Sequence, residues 1–539
     1  MWFLHPDGRL QQEQRALADL VAEGWLKNVE WYIDDEAKTA AVDVDMFAGD
    51  RWWETRIVYP FIYPYAPPQV MPRAKERWSL HQWGHGELCL EIRADNWYPG
   101  LNAADMMRSA RKLLGTESTL DEAGVPLAVL NDHRFTEGQR MVWEPMRLLL
   151  TDDLVAEVQR RGEVVSILEL SRVQYDLAWV FTGVSLLGNR HFDKWIDNGL
   201  PSQFRTASLP FARIANLEEG SAAHLALTDD SCAPDELWRH FSDIPFDDPK
   251  IVIGILPTKI LAKYLGPTEV INMAIIPMDN QQRAPARNDA LNGKRIAIVG
   301  CGSMGSKVAA SLARCGVSDF LLFDGDVLKP GNLVRNELDW FEVGAHKVDG
   351  VMSRLQAINP KVQVDSWKGR LDGQHSMATI VAALEKLGKC DLIVETSASG
   401  QGFAASAAVA SQAKIPMVWG RVFGGGYGGY VVRSRPGIES PPLEVRHQVY
   451  TAMTDPSLPK PPDDSDIDYG SENDEHQAMI ADDGDVSILS GYLTRLIIDT
   501  LRPAAESDYQ ESAYLIGLRK EWIFETPFET RPISLPRVD

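Results

Sequence analysis

The feature that most constrains the fold of this chain is an apolar run that ends in three closely spaced glycines. Residues 295–299 read Arg-Ile-Ala-Ile-Val, and Gly300, Gly302 and Gly305 follow. A β-branched run of this length predicts a buried strand, and the glycines predict a tight turn into a helix over Ser306 to Cys315. The first two glycines would let backbone N–H groups approach a phosphate, and the third would let helix and strand pack closely. The segment therefore predicts a nucleotide site.

A second apolar run follows and ends in an acidic residue. Residues 320–323 read Phe-Leu-Leu-Phe, and Asp324 comes next. The glycine fingerprint places a carboxylate at about this distance, where it holds a ribose. These residues alone fit a nicotinamide-dependent dehydrogenase as well as an ATP-using enzyme, and a structural glycine turn without a ligand remains a third possibility.

Basic and amide residues beyond this strand favour ATP. Asp326, Asn332, Arg335 and Lys347 all lie within a short segment after Asp324. The segment resembles the adenylating domain of ubiquitin-activating enzymes and their bacterial ThiF/MoeB/HesA relatives. The resemblance implies that Asp324 holds the ATP ribose, that Asn332, Arg335 and Lys347 surround the triphosphate, and that Mg²⁺ is a cofactor. Positive charge is needed because a carboxylate that attacks an α-phosphate brings two anions together.

The metal ligand is not assigned by the sequence. Relatives usually carry an aspartate near the metal at the end of a later strand, and Ser397 stands at the corresponding place here. Asp326, Asp391 and Glu395 are the alternatives. Asp391 begins its strand, which is more typical of a solvated edge residue than of a ligand.

The N-terminal region predicts a helix, a strand meander and a candidate nucleophile. Residues 9–23 predict an amphipathic helix, and three alternating strand segments follow. A proline-rich crossing over residues 59–70 leads to Cys89, and a helix is predicted from Ala103 to Leu114. An isolated cysteine between two leucines is usually a small buried hydrophobe.

The context of this cysteine resembles the catalytic fold of ubiquitin-conjugating enzymes. In that family a similar crossing precedes the active cysteine, and a tryptophan and a proline follow it. The resemblance implies that Cys89 is a thioester nucleophile and that Trp97 and Pro99 pack its loop. The His-Pro-Asn element of eukaryotic members is missing, so His81, His85 or a backbone amide is left to stabilise the oxyanion.

The remaining sequence completes a three-domain prediction within an α/β multidomain fold class. Residues 1–150 form the α+β conjugating-like domain, 151–288 an α+β linker or docking domain, and 289–539 a Rossmann-like doubly wound adenylation domain. A crossover loop is predicted over about 457–485, whose proline-rich and acidic composition favours a mobile loop. The glycine-rich stretch 420–430 suggests a turn beside a substrate tail. No cysteine follows Cys390, although relatives often carry a relay cysteine in the crossover region; Ala478 or Ala481 is the expected replacement.

Composition excludes several classes of function. A formal net charge of −22 disfavours binding to nucleic acid or to an anionic membrane, since both require clustered Lys and Arg. No apolar run is long enough to span a bilayer and no signal peptide is recognisable, so a cytoplasmic location is expected. Five scattered cysteines without Cys-x-x-Cys spacing predict neither a disulfide framework nor a zinc site.

Together the two ends resemble bacterial fused activating and conjugating enzymes of ubiquitin-like pathways, notably those of CBASS antiphage defence. The resemblance implies adenylation of the C-terminal carboxylate of a ubiquitin-like or cGAS/DncV-like nucleotidyltransferase partner. Transfer to Cys89 and conjugation to a target lysine would follow, with a homodimer expected by analogy. The alternatives are a nicotinamide-dependent oxidoreductase, which leaves Arg335, Lys347 and the N-terminal region without a role, and a nucleotide-gated scaffold without catalysis.

Overall fold

The computed structural model describes most of the chain. The described residues are 2–4, 8–34, 39–79, 81–83, 85–117, 138, 141–162, 164–187, 194–205, 209–247, 249–278, 285–371, 375–461 and 481–537. The chain divides into two compact units, Met1–Thr136 and Glu137–Asp539, and each is considered by itself. The α/β multidomain fold class is confirmed, whereas the three predicted domain boundaries stay predictions.

The N-terminal unit is a helix, an antiparallel meander and a second helix. Its elements are α1 (Arg9–Ala22), β1 (Leu26–Asp34), β2 (Thr39–Ala48), β3 (Arg51–Tyr59), β4 (Gln69–Pro72) and α2 (Ala103–Glu117). Within the described residues the strands pair in the order β1-β2-β3-β4. Both helices and the meander lie where the sequence predicts them. Most of the proline-rich crossing, residues 60–68, lies between β3 and β4 outside both strands, as expected for residues that cannot all donate to a ladder.

A buried carboxylate ties the two helices of this unit to the crossing. Glu13 on α1 is fully buried and accepts hydrogen bonds from the Tyr59 hydroxyl at 3.2 Å, the Tyr63 hydroxyl and the Ala103 amide at 2.8 Å. The Arg9 guanidinium lies 2.9 Å from the same carboxylate. A buried charge is tolerated only when it is paired and hydrogen-bonded, which this arrangement achieves. The Ala103 contact also places negative charge at the start of α2, where the helix dipole favours it.

The middle of the chain forms a second sheet. Its elements are β5 (Met146–Leu149), α3 (Asp152–Arg161), β6 (Ser166–Gln174), β7 (Trp179–Leu187), β8 (Lys194–Ile196), β9 (Leu209–Asn216), α4 (Ala222–Thr228), α5 (Pro234–Arg239), β10 (Lys250–Ile255), β11 (Ile260–Leu265), β12 (Val270–Asn272) and β13 (Ala274–Ile276). The described strands follow the order β12-β11-β10-β9-β6-β7-β5-β13, and β8 pairs with β7. Thr151 caps helix α3 by accepting from the Leu154 amide at 3.1 Å.

The C-terminal region forms a third sheet, which positions the candidate site. Its elements are β14 (Arg295–Val299), α6 (Ser303–Arg314), β15 (Asp319–Phe323), α7 (Lys347–Ile358), β16 (Gln363–Trp367), α8 (Met377–Leu387), β17 (Leu392–Glu395), α9 (Gly400–Ala413), β18 (Met417–Val422), β19 (Gly428–Ser434), α10 (Pro442–Met453), α11 (Asp483–Thr500), β20 (Ala513–Gly517) and β21 (Glu529–Ile533). The described strands run β16-β15-β14-β17-β18-β19-β20-β21. The first five are parallel, as predicted for a Rossmann-like sheet, and the last three extend it in antiparallel fashion. The strand order reverses at the β14–β17 pair.

The acidic end of the predicted crossover loop is helical instead. Helix α11 begins at Asp483, within the loop predicted over about 457–485. Asp482 caps the helix by accepting from the Asp485 amide at 2.9 Å, and acidic residues stabilise the first turn through the helix dipole. The charges that suggested a solvated loop therefore begin a helix. Residues 462–480, including Ala478, lie outside the described residues.

The glycine-rich stretch 420–430 forms a strand hairpin rather than a simple turn. Residues of β18 and β19 pair across it, for example Arg421 with Tyr430. A Cβ at Gly429 would lie 2.3 Å from the Arg421 carbonyl oxygen, and one at Gly428 would lie 2.6 Å from the Ile516 carbonyl oxygen. These glycines therefore permit close strand packing.

No helix in the described part of the chain combines the length and apolar character that crossing a membrane requires. All five cysteines are free. Cys301 and Cys390 are buried, whereas Cys89, Cys232 and Cys315 are partly exposed.

A buried ion pair in the third sheet gives a stability prediction. Arg433 on β19 is fully buried and donates to Asp499 on α11 at 2.6 Å. The variant Arg433→Ala should lower the free energy of unfolding by about 3–5 kcal/mol, because Asp499 loses its buried guanidinium partner and retains the longer ion pair with Arg502 at 3.4 Å.

The matched control is Arg239→Ala, which breaks an exposed pair with Asp235 on α5. That loss should be about 0.5 kcal/mol or less. Urea denaturation followed by circular dichroism measures both variants. Equal destabilisation of the two would show that the buried pair does not stabilise the sheet.

Candidate functional site

The glycine turn after β14 packs directly against the segment that follows β17. Gly300 has a φ of 93°, and a Cβ there would lie 2.6 Å from the Ser397 Cα. A Cβ at Gly305 would lie 1.9 Å from the Gly300 carbonyl oxygen and 2.6 Å from the Thr396 hydroxyl. No side chain fits at either position without moving backbone. The predicted close packing at Gly305 is therefore observed, and Gly300 also serves packing and not only phosphate approach.

Gly302 is the member of the trio that lines open space. Among the described residues, no atom beyond its chain neighbours lies within 4 Å of a Cβ built there. Gly302 is also the residue that precedes α6, so the N–H groups of the first helical turn begin beside it. This is the arrangement that binds phosphate groups. The helix starts three residues earlier than predicted and includes Gly305 in its first turn.

Asp324 lies immediately after β15 and is linked to the glycine turn. Its carboxylate accepts from the Cys301 amide at 2.7 Å and from the Asp326 amide at 2.8 Å. Burial raises the pKa of Asp324, while the two backbone amides and the Lys347 ammonium oppose that effect. Lys347 begins α7 and pairs with the Asp326 carboxylate at 2.8 Å. Asp324, predicted to hold the ribose, and Lys347, predicted to contact the triphosphate, therefore both lie beside the glycine turn.

Two adjoining cavities open at the carboxyl ends of β14 and β17. The larger has a volume of about 910 Å³ and the smaller about 250 Å³. Ligands of doubly wound sheets bind where the strand order reverses, which is the position of this cleft. We call the larger cavity the nucleotide lobe and the smaller one the terminal lobe. The residues that line both are Gly302, Asn332, Lys347, Thr396, Ser397, Ala398, Ser399, Arg421 and Arg446.

The structure brings the predicted site residues into this cleft. Gly300, Gly302, Asp324, Asp326, Asn332 and Lys347 line the nucleotide lobe, and Arg335 lines the terminal lobe. Gly305 lines neither lobe, because it is packed against the Gly300 carbonyl and the Thr396 hydroxyl. The spacing of these residues along the sequence predicts their assembly because strand ends of a parallel sheet meet at one edge.

The cleft is basic although the whole chain is strongly acidic. Its described basic lining residues are Lys329, Arg335, Lys347, Arg370, Arg421 and Arg446, and its described acidic ones are Asp324, Asp326 and Glu395. The chain as a whole carries a net charge of −22. A local excess of positive charge within a negative surface concentrates anions at that place.

Sequence reasoning missed Arg421 and Arg446. Arg421 lies on β18 within the glycine-rich stretch, and Arg446 lies on α10, more than 100 residues beyond the glycine turn. Only the sheet order brings them to the cleft. No spacing rule that is anchored on the glycine turn would have found either residue.

The described carboxylates do not form a site that holds Mg²⁺ by itself. Asp326 pairs with Lys347, and one oxygen of the buried Glu395 accepts from both the Ser397 amide and its hydroxyl. Asp391 lies at the amino end of β17, which is the end opposite the cleft, and it pairs there with Lys294 at 3.1 Å. No described group of three or more His, Cys, Asp or Glu residues is arranged to hold a metal ion.

Cys89 is half-buried between two fully buried leucines. Its amide donates to the His81 carbonyl at 2.7 Å, which fixes the backbone of the candidate nucleophile. Leu88 and Leu90 point into the core, so the cysteine is not a third core residue. Burial raises the pKa of the Cys89 thiol, the Glu87 carboxylate raises it further, and the Arg93 guanidinium lowers it.

The loop that follows Cys89 is anchored as the sequence predicts. The Trp97 indole N–H donates to the Pro64 carbonyl at 2.7 Å, and the Arg9 guanidinium donates to the Pro99 carbonyl at 2.8 Å. The proline-rich crossing and α1 therefore hold this loop, and Arg9 belongs to the same buried network as Glu13.

Comparison with known proteins identifies the class of the C-terminal region. Residues 272–450 match the ThiF family. Over 112 residues the chain is 33% identical to ubiquitin-like modifier-activating enzyme 5 of Bombyx mori, which covers 21% of this chain and 26% of that protein. It is 36% identical over 85 residues to the ATP-dependent ubiquitin transferase-like protein Cap2 of Enterobacter hormaechei, covering 16% of this chain and 14% of that protein. The chain contains a ThiF-family domain, and the predicted resemblance to activating enzymes is confirmed for this domain.

The similarity to these proteins is confined to part of their length. The chain spans only 20% to 28% of the first three curated relatives. Among solved structures, E. coli MccB with ATP aligns over 47% of this chain and 66% of that chain, with 15% identity and a TM-score of 0.35. The assignment of residues 1–150 to a conjugating-like domain stays a prediction.

Two glycine variants separate packing from ligand approach. Gly305→Ala should destabilise the chain by on the order of 3 kcal/mol, because its methyl group overlaps backbone that cannot move away. Gly302→Ala should change stability by less than about 1 kcal/mol. It should nevertheless weaken ATP binding by roughly tenfold or more, because its methyl group enters the nucleotide lobe. Thermal unfolding and calorimetric titration with ATP measure the two effects; a stable Gly305→Ala variant with unchanged ATP affinity would contradict the packing account.

The environment of Cys89 predicts the pH dependence of its alkylation. Because the pKa of its thiol is raised, iodoacetamide should modify Cys89 at pH 7.5 more slowly than a free cysteine, and the rate should increase about tenfold per pH unit. Glu87→Gln should accelerate the reaction and Arg93→Gln should slow it. Peptide mass spectrometry follows Cys89 apart from the other cysteines. Slower alkylation of the Glu87→Gln variant, or faster alkylation of the Arg93→Gln variant, would refute this electrostatic account.

Proposed function

We propose that this chain activates the C-terminal carboxylate of a protein partner with ATP and passes the acyl group to Cys89. The partner is a ubiquitin-like protein or a cGAS/DncV-like nucleotidyltransferase, and the final acceptor is a lysine amine of a target protein. The setting is antiphage defence of the CBASS type in the bacterial cytoplasm, with the enzyme acting as a homodimer. The support is the ThiF-family match, the partial similarity to Cap2 and the resemblance of residues 1–150 to conjugating enzymes.

The proposed chemistry has three balanced steps. A carboxylate oxygen of the partner attacks the α-phosphorus of ATP, which forms an acyl adenylate and releases pyrophosphate. The Cys89 thiol then loses its proton and attacks the acyl carbon, which forms a thioester and releases AMP. A lysine amine finally displaces the thiolate, which forms an isopeptide bond and regenerates the thiol.

The observation that carries the first step is the basic cleft at the β14–β17 switch. Attack of a carboxylate on a phosphate is opposed by repulsion between two anions, and fixed positive charge in a partly enclosed cavity lowers this barrier. Arg335, Lys347, Arg421 and Arg446 line the terminal lobe, in which Glu395 is the acidic residue. Mg²⁺ is proposed to arrive bound to the ATP phosphates, since Mg²⁺ commonly needs only one or two protein carboxylates when phosphate oxygens bind it.

Charge also distinguishes the adenylation proposal from the oxidoreductase alternative. Hydride transfer releases no pyrophosphate, so the oxidoreductase alternative leaves the arginines of the terminal lobe without a role. The scaffold alternative shares ATP binding with the proposal and predicts no AMP formation. The departure at Ser397 and the absence of a cysteine after Cys390 are the observations that favour the scaffold.

The test uses the purified chain, Mg-ATP and candidate partner proteins. Intact mass spectrometry should detect an adduct of chain and partner that reductant cleaves, and Cys89→Ala should abolish it while AMP formation persists. Cys232→Ala is the matched control, because Cys232 is also a partly exposed free cysteine and should leave the adduct unchanged.

Each other outcome has a definite meaning. An adduct of unchanged yield in Cys89→Ala would exclude Cys89 as the nucleophile. If ATP binds but no AMP forms in the presence of any partner that binds the chain, the scaffold alternative is favoured. Tight NADH binding without ATP affinity would favour the oxidoreductase.

A further inference from the structure

The terminal lobe has two chemically different parts. Its junction with the nucleotide lobe carries Arg421 and Arg446, which line both cavities. An apolar and aromatic part of its wall is formed by Phe403, Trp419, Val422, Tyr430, Ala481 and Val486, and Arg335, Asn336 and Glu395 also line this lobe. The lobe therefore joins a cationic junction to a wall that contains a large apolar part.

The position of the two arginines is set by the fold. Arg421 lies on β18, the strand next to β17, and Arg446 lies on α10 with its guanidinium carbon 4.4 Å from the centroid of the Phe403 ring. A guanidinium held on an aromatic face is preorganised for bidentate contact with a carboxylate. The junction is thus built to receive an anionic group beside the position expected for the α-phosphate.

The lobe is too large for a carboxylate group alone. A single water needs about 10–15 Å³ of cavity, whereas the lobe offers about 250 Å³. Trp419, Phe403 and Val486 are each almost completely buried, so the wall is part of the packed core and does not collapse into the space. Burial raises the pKa of Tyr430 to about 12, so its phenol is neutral at physiological pH. A side chain that enters this space is transferred from water to an apolar surface.

We infer that the terminal lobe selects a partner whose last residue has an apolar side chain, with its carboxylate held by Arg421 and Arg446 at the junction. This inference rests on the proposed adenylation and names the substrate class of that site. The occupant is the C-terminal residue of the proposed partner, which joins a negative carboxylate to its own side chain at the place where the two parts of the lobe meet. A tail that ends in glycine leaves the apolar part unfilled, and a tail that ends in aspartate places a second charge there.

The test uses stable mimics of an acyl adenylate and needs no partner protein. Four 5′-O-(N-acylsulfamoyl)adenosines carry acetyl-leucyl, acetyl-alanyl, acetyl-glycyl or acetyl-aspartyl groups, and their dissociation constants are measured by calorimetry with the full chain. The leucyl compound should bind roughly tenfold or more tightly than the glycyl compound, with the alanyl compound between them. The aspartyl compound should bind more weakly than the leucyl compound.

Variants separate the two parts of the lobe. Arg446→Gln should weaken the leucyl and glycyl compounds by similar factors of about tenfold, and Arg446→Lys should restore part of the loss. Ala481→Leu fills the apolar part and should weaken the leucyl compound more than the glycyl one. Arg239→Gln is the matched control, because Arg239 lies on α5 and does not line the cleft. This variant should change neither affinity. Thermal unfolding confirms that each variant is folded.

The outcomes distinguish this inference from the proposed function. Equal binding of the leucyl and glycyl compounds, or weaker binding of the leucyl one, would overturn the inference and leave adenylation intact. No effect of Arg446→Gln would overturn the role of the junction. Failure of all four compounds and of ATP to bind would overturn the proposed function itself.

Discussion

The cleft depends on one steric constraint, the contact between the glycine turn after β14 and the segment after β17. At Gly300 and Gly305 the neighbouring backbone occupies the space that any Cβ would need. The Thr396 hydroxyl closes the contact by donating to the Gly300 carbonyl at 2.9 Å. Because the two strand ends are held together, Gly302 and the start of α6 are left lining open space. Thr396 and Ser397, which belong to this contact, line both lobes.

Electrostatics gives the cleft its chemical character. A chain with a net charge of −22 gathers six basic residues around two adjoining cavities in the part that the structure describes. The half-buried Asp324 carboxylate and the Asp326–Lys347 pair hold charged groups in fixed positions beside the glycine turn. In the N-terminal unit a buried network, centred on Glu13, holds the loop that follows Cys89. Each candidate site therefore rests on a carboxylate whose partners come from several segments.

Local patterns predicted much of the fold and part of the cleft. The glycine spacing, Asp324 and Lys347 were predicted because each lies at a strand end or helix start that a short sequence window reveals. Asp482 to Asp485 was misjudged as loop, because the same acidic residues that favour solvent also favour a helix N-terminus. The glycine-rich stretch 420–430 was predicted as a turn, although close strand packing explains its composition. Arg421 and Arg446 carried no local signal.

The sequence by itself determined the Rossmann-like strand and turn, the carboxylate that follows the second strand, and the cysteine flanked by an anchored crossing and loop. These features rest on steric rules that act between residues close in the chain. The tertiary structure alone decided that Gly300 is a packing residue and that Asp391 lies at the end of β17 opposite the cleft. It also decided that Arg421 and Arg446, which are distant from the glycine turn in the sequence, both line the terminal lobe. Those outcomes depend on the order in which strands pair, and strand order is set by burial summed over the whole domain.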